Sequence, residues 1–206
     1  MNSIILIGCG GHCKSCIDVI ETANDFKIKG IIEKPNISKK EFMGYEVLGD
    51  DNQLKECFEE GDFGFITVGQ IKDPQLRINL FNNLKKNDIR IPILKSNFSI
   101  ISRNSQIAIG TIIMHNSIVN SGAIIGENCI LNTNSTIEHD VIIQDHCHIS
   151  TGVLINGGVK IGMGTFIGSG VIIKEGIKIG EKVVISAGEI ILKDIPSNTI
   201  YKTIQY

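Results

Sequence analysis

Tryptophan is missing from all 206 residues, and aromatic side chains of any kind make up only 5% of them. A core packed with rings is excluded, so the interior must be aliphatic. Charge of one sign is also missing. Twenty Lys and Arg stand against 22 Asp and Glu, and the net charge of −2 offers nucleic acid no basic face. No apolar run is long enough to span a bilayer, and Met1-Asn2-Ser3 puts no basic residue ahead of the short run Ile4–Ile7. The six Cys follow no disulfide-rich spacing, so a cytoplasmic protein without membrane or nucleic-acid partners is expected. Cys13 and Cys16 spell a C-x-x-C, but there is no second such pair to complete a zinc site. Helical placement makes them small buried residues one turn apart.

What the chain does have is a period. Stepping by six from Ile101 to Ile191 meets sixteen branched aliphatics in one frame, among them Ile113, Ile125, Ile137, Ile149, Ile161, Ile173 and Ile185. The residue four further on is usually small or β-branched, as at Ser117, Ala123, Cys129, Val141 and Val153. Six residues are too few for a helical repeat, but they suit a short strand and a turn. Three units make one triangular coil with the aliphatics stacked inside, so residues 96–206 read as a parallel β-helix. Outward residues Ile112, Ile118, Ile124, Ile130 and Ile142 need a covering partner. Pro196-Ser197-Asn198 breaks the repeat and leaves a short tail.

Residues 1–95 read differently. Strands are expected at Ser3–Ile7, Ile28–Ile32 and Phe63–Val68. Helices are expected from Cys13 to about Ala23, over Asp50–Glu60, and from Pro74 to about Lys86, with Leu76, Leu80, Phe81 and Leu84 on one face. This alternation predicts a small parallel α/β domain, half of a Rossmann-like fold. The turn Gly8-Cys9-Gly10-Gly11-His12 begins like a dinucleotide fingerprint, with Glu33 placed as a ribose ligand. Cys13 stands at the third glycine position, and half a dinucleotide domain is present, so a redox cofactor is not expected. The glycines still let backbone N–H groups and a helix N-terminus approach an anion.

Ile161-Gly162-Met163-Gly164-Thr165-Phe166 and Ile179-Gly180-Glu181-Lys182-Val183-Val184 resemble the hexapeptide acyltransferase signature. Asn132 to Asp140, followed by His148-Ile149-Ser150, resembles the nucleotide-sugar N-acetyltransferases and sialic-acid O-acetyltransferases of the NeuD/PglD type. The resemblance spans nearly the whole chain. It implies a left-handed β-helix, a homotrimer, and acetyl-CoA bound between subunits, with no metal. By residue it implies His139 as general base with Asp140 as acidic partner. It places Gly10, Gly11, His12, Glu33, Lys34 and Gly69 on the nucleotide sugar, and His148, Ser169 and Ala187 on acetyl-CoA. Lys34 and the tail Asn198–Thr203 depart from the family pattern.

By spacing alone His139 reads as a solvated turn residue, and it is the resemblance that selects it as the base. Acetyl transfer to an amine needs an acceptor for the nucleophile's proton, and imidazole fits near neutral pH. Of the five His, His139 lies at a turn between Glu138 and Asp140, either of which could set its tautomer. The expected function is N-acetylation of a nucleotide-linked amino-deoxy sugar in glycan synthesis. O-acetylation of a sialic-acid-like sugar is the alternative. A zinc enzyme would need three histidines at spacings that His115, His139 and His148 do not show, and a bare scaffold leaves the His139–Asp140 match unexplained.

Overall fold

A computed structural model describes residues 1–34 and 40–203. The chain opens with β1 (Asn2–Ile7), α1 (Gly11–Ala23) and β2 (Phe26–Glu33). β3 (Glu41–Phe42), β4 (Tyr45–Asp50), β5 (Phe63–Ile66) and α2 (Gln75–Lys86) follow. The sheet order is β3-β4-β2-β1-β5. β1, β2, β4 and β5 run parallel, while β3 and β4 form an antiparallel hairpin that the sequence reading did not anticipate. Met43 and Gly44, both at positive φ, turn that hairpin. The helix expected over Asp50–Glu60 is a 3-10 segment, Asp51–Cys57. α1 ends where Asn24 adopts φ 57° and its N–H caps the Ile20 carbonyl.

α2 also corrects the expected face. Arg77, Leu80, Phe81 and Leu84 are the buried stripe, and Leu76 is 57% exposed. Leu80, Phe81 and Leu84 lie on the stripe as expected, but its first member is Arg77 and not Leu76, because i, i+3, i+4 and i+7 starts at Arg77.

From Leu94 to Tyr201 the chain winds as a parallel β-helix of two-residue strands in sheets of six, five and seven strands. Until the last pairing, of Val184 with Ile200, each strand pairs with one 18 residues on, as Ile118 with Thr136 and Ile130 with His148. The framed aliphatics from Ile113 to Ile191 form one column of buried side chains with Ala123, Cys129, Val141 and their equivalents, and Ile101 and Ile107 pack partly exposed at its start. A fully buried Ile contributes on the order of 1.5–3 kcal/mol, so the repeat itself supplies the driving force. Asn128, Asn134, Asp140 and several glycines take positive φ at the corners. The tail does not simply end the repeat, because Ile200–Tyr201 rejoins the seven-stranded sheet beside Val184–Ile185.

That seven-stranded sheet is covered by the N-terminal part. Outward-facing Ile112 and Ile130 are fully buried in one cluster with Cys13, Cys16 and Ile17 of α1. Outward Ile124 and Ile172, on the other two sheets, are 41% and 39% exposed.

Candidate active site

The carboxyl ends of β1, β2 and β5 point the same way, and the segments leaving them enclose a cavity of about 790 Å³. Gly10, Gly11, His12, Glu33, Lys34 and Gly69 all line it, and so do Asn132 and His148 from the coil. Gly8 permits the first turn twice over. Its φ is 102°, and a Cβ there would meet the Val68 side chain and backbone. Gly10 and Gly11 face open space, which leaves the N-terminus of α1 approachable. The Glu33 carboxylate accepts the N–H groups of Cys9 and Lys34. Burial pushes Glu33 up, but those hydrogen bonds outweigh it and hold it below the usual carboxylate range. One loop amide is thus already engaged by an anion, the chain's own.

Two imidazoles meet in this cavity, with ring centroids 6.3 Å apart. His148 Nδ1 contacts the Gln70 carbonyl at 2.5 Å, and its Nε2 lies 3.4 Å from the Asn132 amide. The buried His12 Nε2 has no partner. Desolvation, then the Arg77 charge, pushes His12 down to about 3, and desolvation pushes His148 down to about 4 against the opposing Gln70 hydrogen bond, with Arg77 adding to the fall. Both are neutral at physiological pH, His148 engaged through both ring nitrogens and His12 with an unused Nε2.

Arg77 was invisible to sequence reasoning. It is 1% exposed, and its guanidinium donates to the carbonyls of Ile66 and Val68 at 2.8 Å, Asn128 at 3.3 Å and Gly110 at 3.5 Å. Those carbonyls belong to the strand-end segment of the cavity wall and to two corners of the coil. Gln70 makes a parallel link, donating to the His146 and Gly164 carbonyls. The cavity is therefore a joint between the two parts of the chain. Gln70 was also missed; its only signal is its place directly after Gly69 at the end of β5.

His139 and Asp140 stand elsewhere, at a corner of the coil, with side chains 66% and 72% exposed. His139 Nδ1 lies 2.9 Å from Asp140 Oδ2. Of the two flanking acids Asp140 makes this bond, while Glu138 accepts from the Asn120 amide at 3.0 Å. The Asp140 bond raises His139 above its ordinary value, aided by the Glu138 charge. Nδ1 carries its proton toward the carboxylate, and Nε2 keeps its lone pair for a proton from elsewhere.

Ser169 and Ala187 sit exposed at a further corner, one coil above the other. Ser169 bonds Ser150 at 2.9 Å, and its carbonyl accepts Gly188 N–H at 2.8 Å. A Cβ at Gly168 would strike the Ala187 amide, so the backbones make a smooth ledge. Of the three residues expected on acetyl-CoA, His148 faces the cavity and the other two form this ledge.

A fourth histidine, His115, looks like chemistry and is architecture. Ser96 Oγ, His115 and Asp18 form a relay at 2.6 and 2.8 Å with the composition of a hydrolytic triad. Ser96 is only 2% exposed, and its Oγ already accepts the Phe98 N–H. The relay ties α1 to the coil. Among the described residues no cluster of three or more His, Cys, Asp or Glu could hold a metal ion, and no helix is long and apolar enough to cross a membrane.

Residues 3–84 match the PglD N-terminal domain, residues 122–157 the bacterial transferase hexapeptide (six repeats), and residues 158–193 the hexapeptide repeat of succinyl-transferase. No curated protein matches the chain significantly. The acetyltransferase domain of PglB from Neisseria gonorrhoeae FA1090 is similar at a TM-score of 0.89 and 24% identity, over 97% of this chain and 96% of that one. PerB from Caulobacter crescentus, in complex with CoA and GDP-perosamine, reaches 0.88 at 24% identity over 96% and 92%. WeeI from Acinetobacter baumannii AYE reaches 0.86 at 20% identity over 95% and 94%. At such identities the likeness is one of fold. The chain thus joins a PglD-type N-terminal domain to transferase hexapeptide repeats, in the fold of the PglB acetyltransferase domain and PerB.

Proposed function

We propose that the protein is an acetyl-CoA-dependent N-acetyltransferase acting on the amino group of a nucleotide-linked amino-deoxy sugar, a cytoplasmic homotrimer serving glycan biosynthesis. Residues 1–95 hold the nucleotide end and residues 96–206 carry the transfer. The observation that carries this reading is the His139–Asp140 pair, an outward imidazole oriented by a carboxylate and free at Nε2.

The neutral amine nitrogen attacks the thioester carbonyl carbon, and His139 Nε2 takes the amine proton as the C–N bond forms. Asp140 holds the ring and stabilises the imidazolium. Collapse of the tetrahedral intermediate breaks the C–S bond, and the proton passes to the departing thiolate, which leaves as CoA. Gly10, Gly11 and His12 meet the nucleotide's phosphates at the N-terminus of α1. Glu33 and Lys34 take its nucleoside end, and Gly69 borders the opposite wall. His148, Ser169 and Ala187 are assigned to acetyl-CoA, with the pantetheine arm along the ledge. PerB, solved with CoA and GDP-perosamine, supports this class of acceptor, and PglB's domain, also solved with acetyl coenzyme A, supports the donor.

The test offers acetyl-CoA with UDP- and GDP-linked amino sugars, against free and CMP-linked nonulosonic acids. N-acetyl product from the first set alone is expected. O-acetyl product from the second set alone would transfer the assignment to a sialic-acid-type O-acetyltransferase.

A further inference from the structure

The corner that carries His139 recurs every coil, and Ser121, His139, Gly157 and Glu175 occupy the same position on it. The next position takes positive φ each time, at Gly122, Asp140, Gly158 and Gly176. Gly157 does not have positive φ, and its equivalents are a serine, a histidine and a glutamate. Its backbone therefore admits any residue, and glycine there needs another explanation.

The space above Gly157 supplies one. A Cβ built on it would lie 2.6 Å from both Cε1 and Nε2 of His139, and 3.2 Å from Nδ1. The imidazole rests where a side chain at 157 would stand. Asp140 is seated likewise against Gly122 on the preceding coil, but Gly122 at φ 77° is also required by its backbone. Gly157 alone is explained by the ring and nothing else.

We propose that Gly157 is a positioning residue, whose missing side chain seats the His139 imidazole across the neighbouring coil with Nδ1 on Asp140. This rests on the reading of His139 as base. Two contacts define the ring's place: the Asp140 carboxylate holds one edge, and the Gly157 backbone is the floor. A methyl on that floor competes with the ring directly. The ring ends a rotatable, 66% exposed side chain, so the ring yields and the coil does not. Misplacing a catalytic group by about an ångström costs on the order of a hundredfold. The consequence is a substitution nearly silent in folding that moves the base away from its carboxylate.

The experiment pairs Gly157→Ala with Glu175→Ala, a control at the same corner one coil on. His139 is titrated by NMR through its Cε1–H resonance, and turnover and melting temperature are measured on the same samples. In Gly157→Ala the His139 pKa is expected to fall toward its value in Asp140→Asn, with kcat down about tenfold to a hundredfold. Melting temperature and KM for acetyl-CoA should hold, and Glu175→Ala should match the unmodified protein throughout. An unchanged His139 titration in Gly157→Ala overturns the inference, whatever happens to turnover. If the titration moves while turnover holds, positioning by Gly157 stands and His139 is lost as the base.

Discussion

The cavity and the His139 corner use the same side chain to opposite ends. Desolvation beside a buried guanidinium pushes His12 down to about 3 and His148 down to about 4, while a carboxylate at the surface raises His139. An imidazole that must stay a hydrogen-bonding group is best kept dry and near a cation. One that must take up a proton is best kept wet and beside an anion, where the charged product is solvated as it forms. Under the proposed function, that difference suits the joint between the two parts to recognition and the rim of the coil to proton transfer.

Removing the cavity's central support should separate the two regions most sharply. Arg77→Met leaves four carbonyls without their donor and removes a side chain bridging both parts. The expected loss of stability is about 3 kcal/mol or more by denaturant unfolding. Melting-point protection by UDP or GDP should disappear, because Val68 and Asn128 are no longer tied together. The His139 titration should not change. If it moved with Arg77, the two regions would be one electrostatic unit and the comparison would fail.

The converse variant is His139→Ala. Turnover should fall on the order of a hundredfold, about 2.7 kcal/mol of transition-state stabilisation, with nucleotide protection and melting temperature unchanged. Steady-state kinetics alongside a thermal-shift titration reads both. Retained turnover would remove the base from this corner.

How much of this was legible follows the same division. A coil is built from contacts between residues 18 apart in one frame, so Ile137, Ile155 and Ile173 announce the fold without any knowledge of its surroundings. The N-terminal strands and helices were legible for local reasons too, as apolar runs closed by Gly8 and Gly69. The β3–β4 hairpin was not, although Met43-Gly44 between Phe42 and Tyr45 was a usable turn signal. Arg77 was illegible because periodicity ranks side chains by polarity. An arginine on the buried stripe reads as the helix's outer face until four carbonyls are seen converging on it. The burial of His148 was illegible for a related reason. Its outward position on a strand gave no sign that the N-terminal part would cover that sheet and bury it to 7% exposure.

The smallest effect is the most discriminating, because it depends on sign. His139 accepts a proton only when neutral, and the Asp140 bond places its pKa above 6.5. The rate kcat/KM should therefore be full on the alkaline side and fall as pH drops through that raised value. In Asp140→Asn the carboxylate charge is gone, so the acid limb should move to lower pH even as the maximum rate declines. Burial pushes His12 and His148 down to about 3 and 4, so affinity for a nucleotide sugar, whose diphosphate does not titrate there, should stay flat by calorimetry from about pH 5 to 8. Their depressed values do act on stability. The unfolded chain takes up protons at about 6.5, so their contribution is complete above that pH and is lost as pH falls toward 4 and 3. Acidifying from pH 7 to 5 should therefore lower the melting temperature and slow turnover while affinity holds. An affinity that weakened near pH 6.5 instead would put a titrating imidazole inside the cavity, and the contrast between buried imidazoles at the proposed recognition site and an exposed one at the proposed catalytic rim would collapse.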